Sequence, residues 1–282
     1  MKNRRDGTRV KNVDGMHVLM PYLKPKRCDS DVFINYKLDV TELIKYTEKK
    51  KKENPDKRLT YFHVFVTAFG KIIYNRPLLN RFIVNKQYYD RNNVSISFVA
   101  KTEFEDNSQE FMSTIEIDKD DNLDSVSEKL VAKVNKVRSN SNNSTDKAVE
   151  IVGKLPKFIR DFVMWILIWL DKHDKLPKSM CEDNIYYSSV LVSNLGSIDC
   201  GSIYHNLTDF GTNSVLVTIG EITKEQVVNK DGKTEIRDMC EFGINLDERI
   251  ADGFYFVKSI KLLEKIFNNP ELLEDSADSK ID

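Results

Sequence analysis

Apolar and polar residues alternate along several short stretches of the chain, with the period of a half-buried β-strand. This pattern predicts strands at Val32–Val40, Asn93–Lys101 and Phe111–Ile117. Residues 103–109 are polar and predict the connection between the last two strands.

Further strands are predicted in the C-terminal third. Ile185–Asp199 contains a strand that ends in a Ser-Asn-Leu-Gly turn, and Asn213–Ile222 is almost continuously apolar, as expected of a central strand. Asn229–Lys233 has the composition of a hairpin turn, and Met239–Asp247 predicts the strand that returns from it.

Other stretches repeat their apolar residues at helical spacing. A helix is predicted after Thr41, which could serve as its N-cap, and a second one is ended by Pro77. Leu123–Arg138 and Asp252–Phe267 predict two more. Because strands, hairpins and helices interleave, the sequence predicts an α/β fold (α+β, two-layer), with helices packed on a mixed β-sheet.

We expect residues 1–282 to form a single domain with an ordered core over about residues 12–268. The polar and basic Met1–Val10 and the acidic C-terminal end predict loose tails. The low-complexity residues 139–147 could be a linker, but strands are predicted on both sides, which favours a loop within one domain.

Phe162–Leu170 is a run of nine apolar residues that includes both tryptophans. It is too short to span a bilayer, which requires about 20 residues. Three interpretations remain: a helix buried on all sides, for example at a subunit interface; a wall or lid for a hydrophobic substrate; or a segment that contacts a membrane surface.

Composition and charge exclude several classes of function. The net charge of −1 gives no global field for nucleic acid, although basic residues cluster near the N-terminus and at Lys49–Lys52. The four cysteines are widely spaced and form no metal-binding motif, so we expect no metal site. No signal peptide or transmembrane segment is apparent, and a reducing, cytoplasmic location is expected.

Two strand ends carry motifs with chemical meaning: Ser193-Asn194-Leu195-Gly196, and Asp247-Glu248-Arg249-Ile250-Ala251-Asp252-Gly253. In order and spacing they resemble the catalytic domain of the 2-oxoacid dehydrogenase (dihydrolipoyl) acyltransferases, a family that shares its fold with chloramphenicol acetyltransferase. The family motif is His-x-x-x-Asp-Gly, commonly within Asp-His-Arg-x-x-Asp-Gly. Ile219-Gly220 and the stretch Arg76–Ile83 resemble two further family motifs.

The resemblance implies transfer of an acyl group between coenzyme A and an acceptor at a cleft between the subunits of a homotrimer. By position, Ser193 would donate a hydrogen bond to the oxyanion, and Asp252 would be a structural acid with Arg27 as a candidate partner. Asn194, Gly196 and Gly253 would contact the coenzyme. No lipoyl or peripheral-subunit-binding domain is recognised, so no covalent lipoate is expected.

The chain departs from the family at the catalytic histidine, which is replaced by Glu248. A glutamate is about 4 pKa units less basic than a thiolate, which opposes proton transfer by about 6 kcal/mol. Burial could raise that pKa, and His205 is a candidate displaced base. Three hypotheses remain open: an active acyltransferase, a pseudoenzyme that binds a ligand or scaffolds a partner, and hydrolysis with Glu248 activating water.

Overall fold

The computed structural model describes residues 3–101, 110–139, 152–181 and 184–281. The strands are β1 (Gly7–Arg9), β2 (Asp31–Asp39), β3 (Arg81–Val84), β4 (Gln87–Arg91), β5 (Val94–Lys101), β6 (Glu110–Ile117), β7 (Val190–Asn194), β8 (Val215–Val228) and β9 (Thr234–Asp247). The main helices are α1 (Gly15–Leu23), α2 (Thr41–Glu53), α3 (Tyr61–Asn75), α4 (Leu123–Ser139), α5 (Lys157–Lys172) and α6 (Gly253–Asn268).

The main sheet has the strand order β2-β9-β8-β7-β5-β6. Strand β7 runs parallel to both β5 and β8, whereas the other neighbours are antiparallel. The sheet is therefore mixed, and the predicted fold class is confirmed. The apolar β8 lies inside the sheet, which agrees with its continuous hydrophobic sequence.

Helices cover one face of this sheet. Phe65 and Phe69 of α3 contact Phe242 of β9, with ring centroids 5.5 Å and 6.4 Å apart, and Phe267 of α6 completes the aromatic cluster. Burial of such large side chains is the main stabilising term of the two-layer arrangement. The opposite face is partly covered by an extended segment, in which the carbonyl oxygen of Ile203 accepts a hydrogen bond from Thr218.

Both chain ends are more ordered than the sequence predicts. Strand β1 pairs with β4, so residues 7–9 are not loose. At the other end, Leu273 and Ala277 are buried, and Lys71 Nζ donates to the carbonyl oxygen of Ser276 at 2.7 Å. The expected loose tails are therefore wrong for the residues described, because each end contributes apolar contacts or backbone hydrogen bonds.

Two local predictions also need correction. Thr41 is the first residue of α2 and not its N-cap; its hydroxyl instead accepts the backbone N–H of Asp238. Within one copy of the chain, helix α5 is not buried on all sides, since Asp171 is its only buried residue. The polar stretches at 103–109 and 140–147 lie outside the described residues.

Candidate active site

The end of β9 forms the first candidate corner, around a buried ion pair. Asp247 is fully buried, and both of its carboxylate oxygens accept hydrogen bonds from Arg249, at 2.8 Å from Nε and 2.7 Å from Nη2. This two-point geometry fixes the turn that leads from β9 towards α6. Arg249 also donates to the carbonyl oxygen of Lys24 at 2.9 Å, which ties the turn to the end of α1.

Arg27 is a second buried cation at this corner. Its guanidinium donates to the carbonyl oxygens of Thr208, Ile83 and Gly211, and its Nε lies 4.0 Å from Asp247 Oδ2. Burial lowers the pKa of Arg27, while the nearby Asp247 raises it. Arg27 thus holds several chain segments together around one carboxylate.

The predicted partnership between Arg27 and Asp252 is wrong. Asp252 is exposed and caps α6, where its carboxylate accepts the backbone N–H of Tyr255 at 2.8 Å. The aspartate that faces Arg27 is Asp247. Capping the first turn is a sufficient structural reason for an acid at position 252.

Glu248 lies on the open side of this corner. Its backbone N–H donates to the carbonyl oxygen of Ser30 at 2.9 Å, and its partly exposed carboxylate forms an ion pair with Lys24. Lys24 thus occupies a carboxylate oxygen that a general base needs in order to accept a proton. The structure therefore does not place Glu248 in the apolar surroundings that would increase its basicity.

Asp31 is a member of this corner that no sequence motif indicates. It pairs with Asp247 across the β2–β9 ladder, and its Oδ2 accepts the backbone N–H of Leu207 at 3.0 Å. Burial, with a contribution from Asp247, raises the pKa of Asp31 to about 6. Only the strand register brings the two acids together, since 216 positions separate them along the chain.

The second candidate corner is the end of β7. Ser193 is half-buried and pairs with Thr218 of β8. Gly196 is required by packing, because a β-carbon there would lie 2.6 Å from the carbonyl oxygen of Gly220. The carbonyl oxygen of Asn194 accepts a hydrogen bond from the Ser197 hydroxyl at 2.8 Å, which closes the turn.

His205 lies between the two corners, on the segment that crosses the open face of the sheet. The residue is exposed, and its backbone N–H donates to Asn245 Oδ1 at 3.4 Å. Two residues later, Leu207 reaches Asp31 at the first corner. The segment thus connects the corners, but no side-chain hydrogen bond assigns His205 to either of them among the described residues.

One chain does not bring Ser193 and Glu248 together. Ser193 is level with Thr218 and, across β8, with Gly243, while Glu248 follows Gly243 by five residues. At about 3.3 Å per residue and about 4.8 Å per strand, this register separates the two backbones by about 19 Å. The two corners therefore do not face each other within one copy of the chain.

The described residues contain no group of three or more histidine, cysteine or acidic side chains arranged to hold a metal ion. Among those residues, no helix has the length and apolar character needed to cross a bilayer.

Comparison with known proteins supports the resemblance. Residues 177–274, which contain both motifs, match the family model of the 2-oxoacid dehydrogenases acyltransferase (catalytic domain). A probable dihydrolipoamide acetyltransferase from Listeria monocytogenes is similar in structure, with a TM-score of 0.59 at 16% identity over 93% of this chain and 95% of that one. No curated protein matches the chain by sequence.

Two further solved structures have the same fold. The dihydrolipoamide acetyltransferase of Azotobacter vinelandii has a TM-score of 0.59 at 16% identity, over 94% of this chain and 93% of that one. A chloramphenicol acetyltransferase has a TM-score of 0.53 at 11% identity, over 93% of this chain and 98% of that one. The resemblance stated from the sequence is confirmed, as is the fold.

Proposed function

We propose that the chain is a single acyltransferase-like domain that transfers an acyl group between coenzyme A and a small thiol, hydroxyl or amine acceptor. The proposed catalytic unit is a homotrimer, in which Ser193 of one copy faces the Glu248 corner of the next. The match of residues 177–274 to an acyltransferase catalytic domain supports this reaction class. The distance between the corners within one chain supports a site between copies.

The observation that most supports the proposal concerns the hydroxyl group of Ser193. Its residue is half-buried at a strand end, and none of the hydrogen bonds within the described residues involves its hydroxyl. That hydroxyl is therefore available to stabilise the negative oxygen of a tetrahedral intermediate. Asn194 and Gly196 shape the adjoining turn, and Gly253 begins α6, whose N-terminus favours negatively charged groups such as the coenzyme phosphates.

The proposed proton acceptor is the point at which this chain departs from the His-x-x-x-Asp-Gly motif that it resembles. The Azotobacter enzyme uses a serine, a histidine and an asparagine, and the last two are four positions apart, as are Glu248 and Asp252. We propose that Glu248 accepts the acceptor's proton when Lys24 moves away, with exposed His205 as the alternative base. By either route, proton transfer from the acceptor is less favourable than transfer to a histidine at position 248 would be.

The second candidate function is a pseudoenzyme that keeps the fold and binds a ligand or a partner. One observation favours it: the Glu248–Lys24 ion pair occupies the position at which the base is needed. A catalyst and a pseudoenzyme predict different responses to the same substitutions, so kinetics separates them.

The test is thiol release from a panel of acyl-coenzyme A donors with thiol, hydroxyl and amine acceptors. If Glu248 is the base, Glu248→Gln loses at least about a hundredfold in rate and Ser193→Ala at least about tenfold. Glu264→Gln, on the exposed side of α6, is the matched control and retains full activity.

Activity unchanged by Glu248→Gln would exclude Glu248 as the base, and a simultaneous loss in His205→Ala would transfer that role to His205. Turnover only in Glu248→His, together with coenzyme A binding by the unmodified protein in calorimetry, would establish the pseudoenzyme. Absence of both turnover and coenzyme A binding in all variants would refute the proposed reaction class.

A further inference from the structure

Helix α5 presents an aromatic face to solvent. Phe158, Phe162, Trp165 and Trp169 are 75%, 61%, 62% and 41% exposed. Their spacing of four, three and four residues puts them on one side of the helix. Exposed Ile159, Met164 and Ile168 widen the same surface. Contiguous apolar surface of this size marks a site of interaction.

The helix is attached to the body of the protein at its C-terminal end. Asp171 is its only buried residue, and Arg4 Nη1 donates to the Asp171 carbonyl oxygen at 2.7 Å. The carboxylate of Asp171 lies 3.4 Å from Arg4 Nη2. The aromatic face points away from Val163 and Leu167, which are partly covered.

Basic residues lie at both ends of this face. Lys157 and Arg160 belong to its first turn, and Lys172 and Lys175 flank its last turn. Lys175 Nζ also lies 5.3 Å from the Trp169 ring centroid. Lys157, Lys172 and Lys175 lie at the two ends of the aromatic face. Arg160 is two positions from both Phe158 and Phe162 and therefore lies on the opposite side of the helix.

The acidic residues nearby are paired with cations, and one of these pairs uses Lys157 itself. Asp161 pairs with Lys157 at 2.6 Å. Asp171 is buried against Arg4, and Asp174 lies 3.4 Å from Arg5 Nε. Arg4 also pairs with Asp6 at 2.8 Å. The C-terminal end of the face thus has an excess of one positive charge, although the whole chain carries a net charge of −1; the four cations there are Arg4, Arg5, Lys172 and Lys175, and the three acids are Asp6, Asp171 and Asp174.

We propose that α5 binds the surface of an anionic lipid bilayer, with its aromatic face at the boundary between headgroups and acyl chains. Tryptophan and phenylalanine favour that boundary, and a helix of this kind inserts by about 5–10 Å while its basic residues meet anionic headgroups. Charge complementarity selects an anionic bilayer over a neutral one. This proposal does not depend on the proposed acyl transfer.

The chain provides its own reporter, since Trp165 and Trp169 are its only tryptophans and both lie on this face. Tryptophan emission is measured with vesicles of phosphatidylcholine alone and of phosphatidylcholine mixed with phosphatidylglycerol. We expect a blue shift with the mixed vesicles, quenching by lipids brominated on the acyl chains, and reversal by high salt.

A double substitution, Phe158→Ser with Phe162→Ser, keeps both reporters and reduces partitioning by at least about tenfold, because two exposed phenyl groups are lost. Val228→Ser with Ile236→Ser is the matched control; these side chains are 67% and 58% exposed on the β8–β9 hairpin, and partitioning stays unchanged. Lys172→Gln with Lys175→Gln, at the C-terminal border of the face, weakens binding to the mixed vesicles only. Circular dichroism and melting establish that each variant is folded.

Three results would overturn the proposal. One is an emission spectrum that does not respond to the mixed vesicles. Another is equal vesicle binding by the Phe158/Phe162 variant and the control variant. The third is a blue shift that develops without lipid as protein concentration rises, which would identify the face as a contact between copies of the chain.

Discussion

Asp31 makes the stability of this protein depend on pH, and its replacement by asparagine measures the effect. Burial raises the pKa of Asp31 to about 6, from an ordinary value of 3.8. A folded-state pKa above the unfolded one means that the folded protein binds more protons between these values. Protonated Asp31 therefore makes its full contribution to the free energy of unfolding below about pH 4, and this contribution is lost as the pH rises through about 6 and the buried carboxyl group ionises.

The magnitude follows from the shift. A difference of about 2 pKa units corresponds to about 3 kcal/mol at most, and partial exposure of the residue reduces the expectation to about 1–3 kcal/mol. An asparagine side chain at this position would remain neutral at every pH and could still accept the N–H of Leu207 through its oxygen. Asp31→Asn is therefore expected to raise the free energy of unfolding by about 1–3 kcal/mol at pH 7.5, and by almost nothing at pH 4.

Urea unfolding of both proteins at pH 4, 5, 6 and 7.5, at one fixed protein concentration, gives the difference directly. Asp29→Asn is the matched control, because Asp29 is exposed only two residues away, and its effect is expected to be within about 0.5 kcal/mol at every pH. The reasoning is refuted if Asp31→Asn is less stable than the original protein at pH 7.5, or if its gain does not shrink on acidification.

Three further predictions address the rest of the fold and site. Asp247→Asn leaves Arg249 and Arg27 buried without their carboxylate and is expected to lower the free energy of unfolding in urea by about 3–5 kcal/mol. The control Asp238→Asn removes a pair with exposed Lys224 and is expected to lower it by less than about 0.5 kcal/mol. A loss below about 1 kcal/mol in Asp247→Asn would contradict this account. Burial lowers the pKa of His63 to about 4, so on acidification the unfolded chain binds this proton before the folded protein does. The free energy of unfolding therefore falls as the pH drops from about 6.5 to 4, and His63→Gln reduces that fall by up to about 3 kcal/mol in the same urea titration. An unchanged fall would exclude His63 as a cause of acid destabilisation. If each site takes one corner from each of two copies, co-expression of Ser193→Ala and Glu248→Gln chains restores about a quarter of the sites in randomly mixed oligomers. Mixing the separately purified variants without subunit exchange restores no sites.

Much of the fold could be predicted because its elements have clean periodicity. The alternation in β5 predicts a strand, the continuous apolar run of β8 predicts a central strand, and helical spacing predicts α3 and α6. The order of the two motifs then connects these elements to one known architecture. No further long-range information was needed to predict a mixed sheet with helices on one face.

The small sheet formed by β1, β4 and β3 could not be predicted in the same way. Its hairpin turns at Asn85 and Lys86, which adopt φ of 49° and 62° without a glycine. Lysine rarely takes this conformation, so the sequence carries only half of the usual turn signal. Helix α1 has no clear sequence signal because Pro21 lies inside it, although Asp14 caps its first turn.

Helix α5 illustrates a limit of counting apolar residues. Nine consecutive apolar residues suggest burial on all sides, yet large aromatic rings repeat at 158, 162, 165 and 169 and remain exposed. Hydrophobicity alone does not distinguish Val163 or Leu167, which are partly covered, from Trp165, which projects into solvent. Residue size and the position of Asp171, which is anchored by Arg4, decide which face points inward.

At the candidate site, the sequence identifies the unusual residue but not its surroundings. The motif that the chain resembles has a histidine where this sequence has Glu248, which one line of sequence indicates. Lys24, which pairs with Glu248, lies 224 positions away, and no local pattern predicts the pair. The ion pair with Lys24 bears directly on whether Glu248 can act as the base. The carboxylate of Glu248 is partly exposed and paired with Lys24, so a proton acceptor at this position must first leave that pair. Lys24→Gln therefore discriminates between the two proposed functions: it increases the rate if Glu248 is the base, and leaves a pseudoenzyme without turnover.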